Sequence, residues 1–135
     1  MRLPQDLDTV EPIPFAGGTG LEIWCTVSVA HEGDVDALRG ILDVNPDLVH
    51  CGHYGCEGLG RDCYRPLHFA VHANRLRAVQ FLLGQGAHVL DEFLLNSINQ
   101  SLAIAREAGF DEVYQALDDD RRTRFEAGHI RSFCW

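Results

Sequence analysis

With 135 residues, of which 46% are hydrophobic and 23% charged, the chain is one domain's worth of sequence with enough apolar side chains to bury a core. That excludes a wholly disordered polypeptide. Eleven basic residues, every one an arginine, stand against twenty acidic ones for a net charge of -9. This balance argues against non-specific nucleic-acid binding and against docking on an anionic membrane, since both draw affinity from cationic side chains.

Five cysteines (Cys25, Cys51, Cys56, Cys63 and Cys134) form an odd set without a repeated spacing. A paired secretory framework would give an even, patterned set. The opening residues MRLPQDLDTVEPIPF contain no apolar targeting core, and no later stretch approaches membrane-spanning length. A cytoplasmic location is therefore expected, with no nucleic-acid or membrane partner.

Residues 1–20 hold Pro4, Pro12 and Pro14 and end on the run Gly17-Gly18-Thr19-Gly20. They read as an extended arm, with Val10, Ile13 and Phe15 available to dock on the helical segments after it. The glycine run lacks the lysine and spacing of a phosphate loop and reads as a loop only.

From Leu21 the apolar spacing becomes helical. Leu21, Trp24, Val27, Val29 and Ala30 make one face, and Val35, Leu38, Ile41 and Leu42 the next, with Asp34 placed to cap that second segment. Asn45-Pro46-Asp47 breaks it. A second pair of segments lies at 67–73 and 76–83, with Gly84 and Gly86 at its end. A third pair covers 102–108 and 113–117. Each pair is too short to bury its own apolar face, so the pairs must stack.

Laid over one another, the pairs bring Gly33, Asn74 and Gly109 into coincidence between their two helices, at intervals of 41 and 35 residues. Glycine and asparagine tolerate the left-handed backbone that a tight helix-to-helix turn requires. Helix pairs recurring at this length predict an all-α solenoid.

The middle unit, RPLHFAV at Arg65–Val71 continuing to FLLGQGA at Phe81–Ala87, resembles an ankyrin repeat. The family's Thr-Pro-Leu-His opening corresponds to RPLH, and its Leu-Leu-x-x-Gly-Ala ending to LLGQGA. The first unit (AHEGDVDALRGILDVNPDLV) resembles a degenerate opening repeat and the third (SLAIA, then EAGFDEVYQALDD) a closing one, so the likeness spans residues 21–120. The chain departs from the family in three places. Its intervals exceed the usual repeat of about 33 residues, by about eight in the first case and about two in the second. The longer excess forms an insertion between repeats one and two, HCGHYGCEGLGRDC. Cys63 stands where the family places a turn glycine, and LDEFLLNSINQ reads as helical where a hairpin between repeats is usual.

The resemblance implies that His68 orders the turn between repeats by hydrogen-bonding neighbouring backbone. It also implies protein–protein recognition without catalysis, through hairpin tips and the exposed side of each first helix. Carried over position by position, the tip places are Arg61, Asp62 and Tyr64. The first-helix places are His72 and Ala73, His31 and Glu32, and Glu107 and Ala108.

Two other function classes stay open. Cys51, His53, Cys56 and Cys63 place four soft ligands within thirteen residues, the donor types zinc prefers, although their spacing matches no common zinc module. They define a metal- or redox-responsive alternative; a loop carrying reduced cysteines is the plain one. The third class is a self-associating structural module.

Charge is uneven along the chain: -8 over residues 1–60, +3 over 61–90, -7 over 91–120 and +3 over the last fifteen. Arg61, Arg65, Arg75 and Arg77 thus either steer an acidic partner segment or pair with the chain's own Asp34, Asp36, Asp111 and Glu112. The tail, residues 121–135, carries Phe125, Ile130, Phe133 and Trp135, expected to pack back on the last repeat, with a docking segment as the alternative.

Overall fold

Helix α1 (Gly20–Glu32) starts where Thr19 and Glu22 close on one another. The Glu22 N–H donates to Thr19 Oγ1 at 3.2 Å and the Thr19 N–H to Glu22 Oε1 at 3.0 Å, which satisfies two of the N–H groups a helix start leaves open. A third goes to the arm: the Leu21 N–H donates to the Thr9 carbonyl at 3.0 Å, and Pro12 bridges to Thr19. Within the arm, Thr9 and Pro12 therefore lie against the start of α1. Val10 does not dock, being 77% exposed. These relationships come from a computed structural model that describes residues 8–12, 18–51, 65–87 and 97–126.

Among the described residues the protein is all-α. After α1 come α2 (Val35–Val44), a 3-10 helix (Pro46–His50), α3 (Pro66–His72), α4 (Leu76–Gly84), α5 (Ser97–Ala108) and α6 (Asp111–Glu126). Asp34 caps α2 as its sequence position suggests, accepting from the Ala37 N–H at 3.0 Å. The break at Asn45 is sharper than a loop. Asn45 accepts from the Asp47 N–H at 3.2 Å and Pro46 opens the 3-10 turn, a position where the missing proline N–H costs nothing. That turn swings Leu48 against Gly18, where a Cβ would lie 2.8 Å from Leu48 Cδ2.

The helices pack as three hairpins, α1 on α2, α3 on α4 and α5 on α6. Helix α3 lies between α1 and α5, and α4 between α2 and α6, so the hairpins make two rows of three. Ile23, Leu38, Leu48, Leu67, Phe69, Leu82 and Leu117 are fully buried between the rows, each worth about 1.5–3 kcal/mol of apolar burial. The buried face of α1 differs from the expected one: Ile23, Thr26, Val27 and Ala30 point inward, while Leu21 stays 37% exposed and Trp24 half-buried. The cause is that α1 packs against both α2 and α3, and the two contacts together rotate the buried stripe. Thr26 is accommodated there because its hydroxyl donates to the Glu22 carbonyl at 2.7 Å.

Helix α5 begins at Ser97, inside the segment LDEFLLNSINQ; the residues of that segment before 97 lie outside the described residues. Helix α6 runs on to Glu126, past the last apolar position of its pattern, and Asp118 in it is buried against Arg121 and Arg122. No helix among the described residues is long and apolar enough to cross a membrane.

Candidate functional site

Three turns carry six of the nine positions that the sequence singles out for recognition, and one backbone device builds all three. Gly33, Asn74 and Gly109 have φ of 81°, 58° and 76°, the left-handed conformation expected of them. In each case the next residue donates its N–H to a carbonyl five residues earlier: Asp34 to Val29 at 3.1 Å, Arg75 to Ala70 at 2.9 Å and Phe110 to Ala105 at 2.9 Å. This bond closes the carbonyls that a helix end leaves open. Gly86, with φ 92°, ends α4 the same way through Ala87 and Leu82 at 3.0 Å. Gly84, in contrast, is still helical.

The first two turns are joined by Arg75. Its side chain lies across Gly33, whose missing Cβ would sit 2.9 Å from Arg75 Cδ, and its Nε–H donates to the His31 carbonyl at 3.1 Å. Arg75 thus engages a backbone carbonyl at the negative end of the α1 dipole rather than an acidic side chain. Arg39 of α2 reaches α4, its guanidinium 5.4 Å from the Phe81 ring centre, and keeps a 3.4 Å contact with the exposed Asp36. Arg77 is exposed on α4.

His31 is half-buried, and burial, reinforced by the positive charges of Arg75 and His72, holds its imidazole below the ordinary range. His31 and His72 are therefore electrostatic neighbours across the α1–α3 contact. His72, Glu32, Glu107 and Ala108 are exposed and Ala73 half-buried. Arg61, Asp62 and Tyr64, the tip positions, lie outside the described residues, as do the tail residues Ile130, Phe133 and Trp135 and the arm residues Ile13 and Phe15.

His68 is 1% exposed and its Nδ1 accepts the Arg65 N–H at 3.0 Å. An imidazole acceptor at this place closes the start of α3, where Pro66 supplies no N–H of its own. Of the soft-ligand set, Cys51 is fully buried in the apolar core beside Leu48 and Val49. His53, Cys56 and Cys63 lie outside the described residues.

Two features have little or no signal in the sequence. One is the Arg75 contact, since an arginine after the turn residue gives no sign of its own. The other is a shallow open groove of about 410 Å³ along α1, α2 and the 3-10 helix. A glycine in the interior of α2, Gly40, is its available sign.

No family model matches the chain, and no solved structure matches it.

Proposed function

We propose that the protein is a short ankyrin-like solenoid, its outer repeats degenerate, that recognises a protein partner without catalysis. The observation that carries this reading is the threefold recurrence of the left-handed turn at Gly33, Asn74 and Gly109, each closing a hairpin that packs on its neighbour. Independent support comes from His68, whose hydrogen bond to the Arg65 backbone is the role that the RPLH resemblance assigns to it.

On this reading the partner meets the residues just before each turn: His31 and Glu32, His72 and Ala73, Glu107 and Ala108. Arg61, Asp62 and Tyr64 extend the surface at the tip, where arginine and tyrosine are favoured as interface anchors. A stack of this kind displays side chains from a rigid backbone, so little ordering cost falls on the protein when it binds. The partner itself is not specified by the fold, because repeat stacks serve many partners.

Affinity capture from a lysate of the source organism, read by mass spectrometry, tests the reading. The native bait should retain one protein that a bait carrying Arg61→Glu, Tyr64→Ala and His72→Ala loses. Equal recovery on both baits would reject the assigned face.

A further inference from the structure

The groove on the first hairpin is separate from the turn surface. Cys25, Ala37, Gly40, Ile41, Val44 and Leu48 form its apolar lining, Glu22 and Asn45 its polar lining, and no residue of α3 or α4 lines it. Three observations point to an occupant. First, Gly40 lies in the interior of α2, where glycine costs about 1 kcal/mol relative to alanine. A Cβ there would meet nothing within 4 Å, so packing within the protein does not require glycine; what glycine provides is bare backbone at the groove floor. Second, Val44 at the groove's end is 86% exposed, an apolar surface that water covers at a cost. Third, Asp36, Asp43 and Asp47 are exposed and each directly precedes a lining residue, Ala37, Val44 and Leu48. Arg39, the sole arginine between residues 18 and 51 where there is no lysine, is engaged with Asp36 and Phe81.

We propose that this groove docks an apolar helix of a partner protein whose flanks carry arginine or lysine. The apolar floor takes its stripe and the carboxylates of Asp43 and Asp47 take its flanks, giving charge complementarity around a desolvated centre. The α2 backbone is hydrogen-bonded within its own helix, so an added strand has no edge to pair with and the occupant must be read through side chains. From Ala37 to Val44 the floor runs two helical turns, about 10 Å, the spacing of anchors at i, i+3 or i+4, and i+7 in helix-in-groove recognition. A second copy of this chain fits poorly, because a twofold contact would set these carboxylates against their own symmetry mates. The proposal does not rest on the turn surface.

The probe is a labelled amphipathic peptide with a leucine stripe and lysine flanks, titrated into the full chain by fluorescence anisotropy. A twin peptide carries glutamate flanks, and a third is residues 121–135 of this chain. The lysine peptide should bind, weaken as salt rises, and bind at least tenfold more weakly to Gly40→Leu, a variant that fills the groove. Circular dichroism and the melting temperature check that Gly40→Leu stays folded, and Gln80→Ala, at an exposed position of α4, should leave peptide binding unchanged. Asp43→Lys with Asp47→Lys should also weaken it, without filling the groove. The proposal is overturned if no lysine peptide binds, if Gly40→Leu binds it equally, or if the glutamate twin binds as well. Tighter binding by the 121–135 peptide would assign the groove to this chain's own tail and overturn it too.

Discussion

Arg75 lies against Gly33 so closely that any side chain at Gly33 would touch its stem, with Cδ 2.9 Å from the position of a Cβ. The same arginine donates from Nε to the His31 carbonyl at 3.1 Å. Two turns 41 residues apart in sequence are thereby held in contact, and the contact depends on glycine for two reasons at once: its φ of 81° and its lack of bulk.

Gly33→Ala should therefore lower stability by about 1–2 kcal/mol, the cost of a side chain in the left-handed region, with a further loss if Arg75 is displaced. Gly40→Ala should do the opposite and raise it by about 0.5–1 kcal/mol, since Gly40 is helical and unobstructed. Urea denaturation of both variants checks the pair, and equal effects would remove the distinction.

His68→Leu preserves bulk in the core but removes the acceptor of the Arg65 N–H. A loss of about 1–3 kcal/mol is expected. Hydrogen exchange should place the damage at the start of α3, with the α5–α6 hairpin unaffected at its far end.

Acid should destabilise the protein in two steps. The Glu22 carboxyl is held below its ordinary 4.5 by the Thr19 backbone and side-chain hydrogen bonds, with Asn45 adding to them. Its contribution is complete above the unfolded value and is lost as pH falls through the folded one. His31 sits below its ordinary 6.5 through burial, so the unfolded chain takes up its proton first and stability declines as pH falls below 6.5 toward the folded value. Melting temperature against pH should flatten just below 6.5 in His31→Asn and below 4.5 in Glu22→Gln. Unchanged curves would contradict these assignments.

Much of the helical order is legible in the sequence because its signals are local. Asp34, the Asn45-Pro46 break and the turn residues Gly33, Asn74 and Gly109 act within a few residues of themselves, and each does in the structure what its chemistry suggests. The buried stripe of α1 departs from its apolar pattern at Leu21 and Ile23 because two neighbours, α2 and α3, decide it together. The contact between the arm and the start of α1 is hidden for a related reason: the Thr9 carbonyl and the Leu21 N–H are both backbone groups, which any sequence would supply. Arg75 is visible as a charge but not as a clamp, since its target is a backbone carbonyl that any sequence would supply.

The proposed recognition surface makes a further mutational prediction. His72→Ala, at an exposed helix end, should change stability by less than about 0.5 kcal/mol while weakening partner capture at least fivefold. A large stability loss would mark His72 as a structural residue instead.

Site-specific photocrosslinking in cells of the source organism would locate the partner-binding face. Benzoylphenylalanine would replace His31, His72 or Glu107 before the three turns, with Gln80, exposed on α4, as the comparison. One shared partner adduct is expected from the three turn positions and none from position 80. Adducts from position 80 alone, or no adduct from any turn position, would contradict that expectation.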